Sequence, residues 1–153
     1  MPYTFEPEQP HAKAFGQNLR ISAKDAVKLS AVVRGKKLTV AKRLLQDLVA
    51  GQRSLKGKYY TKAAVSMLRL LTSCEANARS LGLDEKRLFV HAAATHGTHM
   101  RRARRKLAFG SRMKSTNLEV MLIERGKAKS EIAADESKTL PAEMQKAKGE
   151  SKQ

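Results

Sequence analysis

The 153-residue sequence is poor in several things. It has one cysteine, Cys74, so no intramolecular disulfide can form and nothing points to a disulfide-held secreted scaffold. Tryptophan is absent and aromatics make up 5% of the chain, so a core must be built mostly from Ala, Leu and Val. No apolar run approaches the roughly 20 residues of a membrane-spanning helix. The opening MPYTFEPEQP has neither the basic n-region nor the apolar h-region of a secretory signal. The expectation is a soluble, cytoplasmic protein.

Acid is the other shortage. The chain has 14 acidic residues against 31 basic ones, a formal net charge of +17. Between Glu85 and Glu119 there is none. That gap contains Met100–Lys114, MRRARRKLAFGSRMK, which holds seven cations. Such an excess costs the compact state through self-repulsion unless a polyanion neutralises it. Candidate polyanions are nucleic acid, an anionic membrane surface and an acidic protein.

The remaining pattern is that of one small domain with extensions. Residues 1–17 read as an extended N-terminal arm, and Asn18–Ile21 as a short edge strand. Ser22 and Asp25 have capping-box spacing ahead of a helix that Gly35 stops. Thr39 is the expected cap of a second helix, with the stripe Ala41, Leu44, Leu45, Leu48 and Val49 ending at Gly51. The segment GQRSLKGKYY is a basic loop. Thr61 is the expected cap of the longest helix, whose buried face is Ala64, Met67, Leu68, Leu71, Cys74 and Ala78, up to Gly82.

The period then changes to two. Leu88, Val90, Ala92 and Ala94 alternate as in a strand, and so do Leu118, Val120 and Leu122. Paired antiparallel, these runs make 88–125 a hairpin with its midpoint near Lys106 and its tip within 104–111. Each arm then reaches roughly 50–60 Å at about 3.3 Å per residue. An amphipathic helix through Met100, Ala103 and Leu107 is the alternative for the insert, but three apolar residues make a thin face. Residues 127–153, rich in Lys, Glu, Ala and Ser, read as a charged, solvated tail. The expected fold class is α+β, with three helices packed on a small antiparallel sheet and a long protruding β-hairpin. Residues 18–126 form its single domain.

Catalytic and metal chemistry find little support. His91, His96, His99 and Cys74 match no zinc spacing, and Cys74 falls on the inner face of a helix. RGKKL lacks P-loop spacing, and Ser111 after Gly110 lacks a nucleophile elbow. No enzyme, no metal and no cofactor is expected. Polyanion binding remains. The insert lacks the large apolar face of a membrane-surface element, and a long rod threads structured RNA more readily than it lies in one DNA groove. A free-standing regulator that reads nucleic acid with helices 39–50 and 61–81 is the alternative. It predicts base-edge contacts and a dimer.

The stretches NLRISAKDAV, VRGKKLTVAKRLL, KAAVSMLRLLTSCEANA, GLDEKRLFVHAAAT and NLEVMLIER, in that order, resemble the universal large-subunit ribosomal protein twenty-two family. YTFEPE and HAAA are most similar to its archaeal-type branch. The resemblance covers roughly residues 3–125. It implies a structural constituent of the large ribosomal subunit, one copy per subunit, with the globular part on large-subunit rRNA near the tunnel exit. The implied partners are that rRNA, neighbouring large-subunit proteins and the nascent polypeptide. The rRNA contacts it leads us to expect are Arg20, Lys24, Arg34, Lys36, Lys37, Lys56, Lys58, His96 and His99, then Arg101, Arg102, Arg104, Arg105, Lys106, Arg112 and Lys114. Arg105, Lys106, Leu107, Phe109 and Gly110 are the implied tunnel-lining tip. The chain departs from many members in having no proline between Pro10 and Pro141.

Overall fold

A computed structural model describes residues 3–102 and 110–126. Strand β1 (His11–Leu19) is followed by helices α1 (Ala23–Val33), α2 (Leu38–Val49) and α3 (Thr61–Ser80). A 3-10 turn at Glu85–Arg87 leads into β2 (Leu88–His96), and β3 (Thr116–Glu124) closes the sheet. The sheet is antiparallel in the order β1-β3-β2. Three helices on a small antiparallel sheet make this an α+β fold.

The helices share one face of the sheet. Ala12 and Ala14, then Leu88, Val90 and Ala92, then Leu118, Val120 and Leu122 point into it by the two-residue alternation of a pleated strand. They meet Leu29 and Val33 of α1, Leu45 and Leu48 of α2, and Met67, Leu71 and Cys74 of α3. Gly51 and Gly82, with φ of +75° and +71°, end α2 and α3 in Schellman turns. In these, Gln52 N–H donates to Asp47 O and Leu83 N–H to Ala78 O.

Several boundaries differ from the sequence-based expectation. The N-terminal strand is His11–Leu19, not 18–21, and takes in much of the stretch expected as arm. Its inner face is only Ala12, Ala14 and Gly16, too small to register as an apolar stripe. Smallness is required there, since a Cβ on Gly16 would stand 2.9 Å from both Leu19 and Leu70. Ser22 is the N-cap of α1, but its side chain makes no capping bond. Helix α2 starts before Thr39, with Lys37 as its cap, because Leu38 is buried and Lys37 bridges to Phe89. Helix α3 takes Thr61 as its first residue, behind a left-handed Tyr60. Leu68 is partly buried, and Ala63 takes the inner position instead.

The other face of the sheet is covered by the remainder of the N-terminal segment. Tyr3 meets Phe15 edge-on at 5.9 Å, and Phe5 lies 4.9 Å from the His91 ring. Thr4 donates its N–H and hydroxyl to Glu119 Oε2 at 2.9 and 2.7 Å. Glu119 is thereby buried yet hydrogen-bonded, beside Met121 and Ile123.

Candidate nucleic-acid interface

Strands β2 and β3 run together in unbroken register from Leu88↔Glu124 to His96↔Thr116. Pairing continues past them. Gly97 N–H donates to Ser115 O, Met113 N–H to Met100 O, and Arg102 N–H to Ser111 O. Arg101 and Arg112 form an antiparallel bridge. Two arginines are thus set opposite one another across the paired arms, and like charges at such positions cost energy without an anion.

The base of this ladder is tied to β1. Asn18, held at φ +52°, donates its N–H to Asn117 Oδ1, while its own Oδ1 accepts from Thr98 N–H and Ser115 Oγ. Arg20 follows two residues on, and its guanidinium reaches Met113 Sδ at 2.7 Å. Arg20 and Lys114 therefore stand side by side where two clefts meet. One, of about 310 Å³, adds Lys58, Lys62, Tyr60 and Asp25. The other, of about 440 Å³, adds Arg102 and Arg112. A third, of about 340 Å³, brings Lys24, His96 and His99 to the same corner.

The expected residues thus fall into groups. Arg20, Lys24, Lys58, His96, His99, Arg102, Arg112 and Lys114 line this connected surface, and Arg101 is bridged to Arg112 beside it. Lys56 is exposed at the turn before Lys58, where φ is +50° at Lys56 and +74° at Gly57, as a two-residue type I′ turn requires. Arg34, Lys36 and Lys37 lie elsewhere, along the outer edge of β2, where Arg34 donates to Ala92 O. Gly110 has the positive φ, +70°, expected of a return. Arg104, Arg105, Lys106, Leu107 and Phe109 lie outside the described residues.

Lys62 escaped the sequence reading. It sits in the first turn of α3, which has no acid, where a cation opposes the helix dipole. A cation kept in that position was the available signal.

The ion pairs among the described residues lie away from this corner. Lys42 and Arg79 pair with Glu75, Arg79 also with Glu85, Arg87 with Glu124 at 3.3 Å, and Lys13 with Glu6 at 2.7 Å. None of the described cations expected at the interface has such a partner among the described residues. Among the described residues no group of three potential metal ligands comes together. No helix among them is long and apolar enough to cross a membrane. Cys74 is fully buried, its thiol pushed up to about 12 by burial, and its Sγ donates to Ala12 O.

Comparison with known proteins bears on the family. The family profile described as "Ribosomal protein L22p/L17e" matches residues 14–122. A protein of Archaeoglobus fulgidus named "Large ribosomal subunit protein uL22" is 36% identical over 62% of this chain and 76% of its own length. Its namesake in Staphylothermus marinus is also 36% identical, over 65% of this chain and 78% of its own. That of Methanopyrus kandleri is 31% identical over 80% and 95% respectively. With most of the chain matched by the profile and archaeal relatives aligned along most of their length, the chain belongs to the ribosomal protein L22p/L17e family, in its archaeal-type form.

Proposed function

We propose that this chain is a structural, non-enzymatic constituent of the cytoplasmic large ribosomal subunit, present once per subunit, and that it binds large-subunit rRNA. Its rRNA-facing surface is the corner where Arg20, Lys58, Lys62 and Lys114 meet Arg102 and Arg112. The paired arms carry the basic segment inward, so that residues 104–111 stand beside the path of the nascent polypeptide, with Phe109 stacked on RNA. Neighbouring large-subunit proteins complete the surroundings.

One observation carries this reading. The cations paired with carboxylates among the described residues, Lys13, Lys42, Arg79 and Arg87, all lie away from this corner, whereas those that crowd it have no such partner and Arg101 stands across from Arg112. Phosphates, each able to accept from a guanidinium fork, supply the missing charge.

The test compares affinity for isolated large-subunit rRNA against salt for the intact protein and for a form lacking residues 98–114. Seven cations neutralising single-stranded phosphates contribute a log–log slope near −5, to an order of magnitude. Equal slopes for the two proteins would remove the basic segment from the binding surface. Co-sedimentation with large subunits through a high-salt gradient tests the assembly itself.

A further inference from the structure

We infer that the outer edge of β2 at Ala94 is a docking slot for a short, extended, acidic polypeptide segment, which adds to the sheet as a fourth strand. The partner is another protein of the large subunit, so the inference rests on the function proposed above for where that partner is found.

The order β1-β3-β2 leaves one side of β2 without a neighbouring strand. The chain covers the first part of that edge itself. Gly35 N–H donates to Val90 O at 2.8 Å and Val90 N–H to Lys36 O at 2.9 Å. Next, the Arg34 guanidinium donates to Ala92 O through Nε and Nη2 at 3.1 and 2.9 Å. There the cover ends. Strand alternation turns the N–H and C=O of Ala94 to the same side as those of Val90 and Ala92. Among the described residues no hydrogen bond meets them. An unpaired edge of this kind is a template for an incoming strand.

The edge is not on an open surface. It lies in a groove of about 480 Å³ between α1 and the N-terminal segment. Val27 and Ala31 line the α1 side and Phe5 the opposite side, with Val27 51% and Phe5 45% exposed. Two further residues of the lining, Ser30 and His91, each bury a polar atom (Oγ and Nδ1) that has no hydrogen-bond partner among the described residues. Apolar walls flanking an unpaired backbone edge match a polypeptide strand, whose side chains alternate to the two walls. They match a phosphate backbone poorly, and the Phe5 ring is already engaged by His91. Charge selects among polypeptides. Among the described residues Arg34 is the one cation in the lining and no carboxylate stands there, so the fitting segment carries an acidic side chain toward Arg34.

The test places photoreactive benzoylphenylalanine at position 27, a half-exposed site that tolerates it, in cells whose large subunits are then purified and irradiated. The expected product is an adduct with one subunit protein, mapped by mass spectrometry to an extended segment bearing Asp or Glu. Ala94→Pro removes the outward N–H while remaining compatible with an edge strand. It lowers the adduct yield about tenfold, the loss of a main-chain hydrogen bond or two, with sedimentation unchanged. Adducts with rRNA alone, with a segment lacking acid, or with none overturn the inference, as does an Ala94→Pro yield equal to that of the parent. Absence of the protein from the subunit peak removes the proposed function as well, so sedimentation tells the two failures apart.

Discussion

Asn18 Oδ1 accepts the backbone N–H of Thr98 at 2.8 Å, joining positions 80 residues apart at the base of the basic arms. Gly97 makes the approach possible. A Cβ there would collide with Ser115 Oγ and stand 2.6 Å from Asn18 Oδ1. Gly97→Ala is therefore expected to cost about 1–3 kcal/mol of stability, the range for overpacking, by urea denaturation. An unchanged urea midpoint would show that the knot does not form. Asn18→Ala is expected to relieve part of the Gly97→Ala penalty, so the double variant is less than additive.

The core prediction concerns α3. Leu71 is fully buried, and Leu71→Ala should cost about 2–5 kcal/mol. Leu68 is partly buried, so Leu68→Ala should cost less than half as much in the same denaturation series. Equal losses would mean that α3 is rotated on the sheet.

Histidine 91 should make stability depend on pH. Burial, then the Arg34 charge, holds its imidazole below the usual 6.5, with Glu119 opposing and Arg125 reinforcing the shift. The unfolded chain then binds more protons than the folded one between the lowered value and 6.5. Stability is complete above about pH 6.5 and is lost as the pH falls through that window. His91→Gln should flatten this slope in denaturation curves taken at intervals from pH 7.5 to 5. Parallel curves for parent and variant would remove His91 as the cause.

Arg20 and Lys114 stand at the meeting of the basic clefts. Replacing either by Ala should reduce the salt slope of rRNA binding by about 0.7–0.9 and weaken binding to all rRNA fragments alike. Thermal unfolding of the free proteins should stay close to that of the parent. A melting temperature several degrees lower would mark these cations as part of the fold.

The pattern of legibility has physical causes. Helices α2 and α3 and strands β2 and β3 announce themselves because Leu44, Leu45, Leu48, Leu88, Val90 and Leu122 are large and periodic. Strand β1 does not, because its inner face must be small to admit α3, and alanine marks no period. The capping expectations at Thr39 and Thr61 fell one or two residues inside the helices, where tertiary packing of Leu38 and the turn at Tyr60 set the start. At the interface, charge was readable but proximity was not. Nothing local says that Arg20 and Lys62 share a cleft with Lys114, since β1, α3 and β3 meet there only after folding. Arg34 shows the reverse, a cation chosen for phosphate whose guanidinium is engaged by a carbonyl of β2, the next strand along the chain.

The burial of Cys74 makes the molecule its own timekeeper. With its thiol proton held to about pH 12 and its sulfur enclosed between α3 and the sheet, the native chain offers a thiol reagent nothing to attack. The moment of modification is the moment α3 leaves the sheet, read at a single site without any introduced dye. The same silence leaves the surface free for cysteines placed by choice, so distances can be measured across a particle this crowded with nucleic acid and protein without first removing a native sulfur.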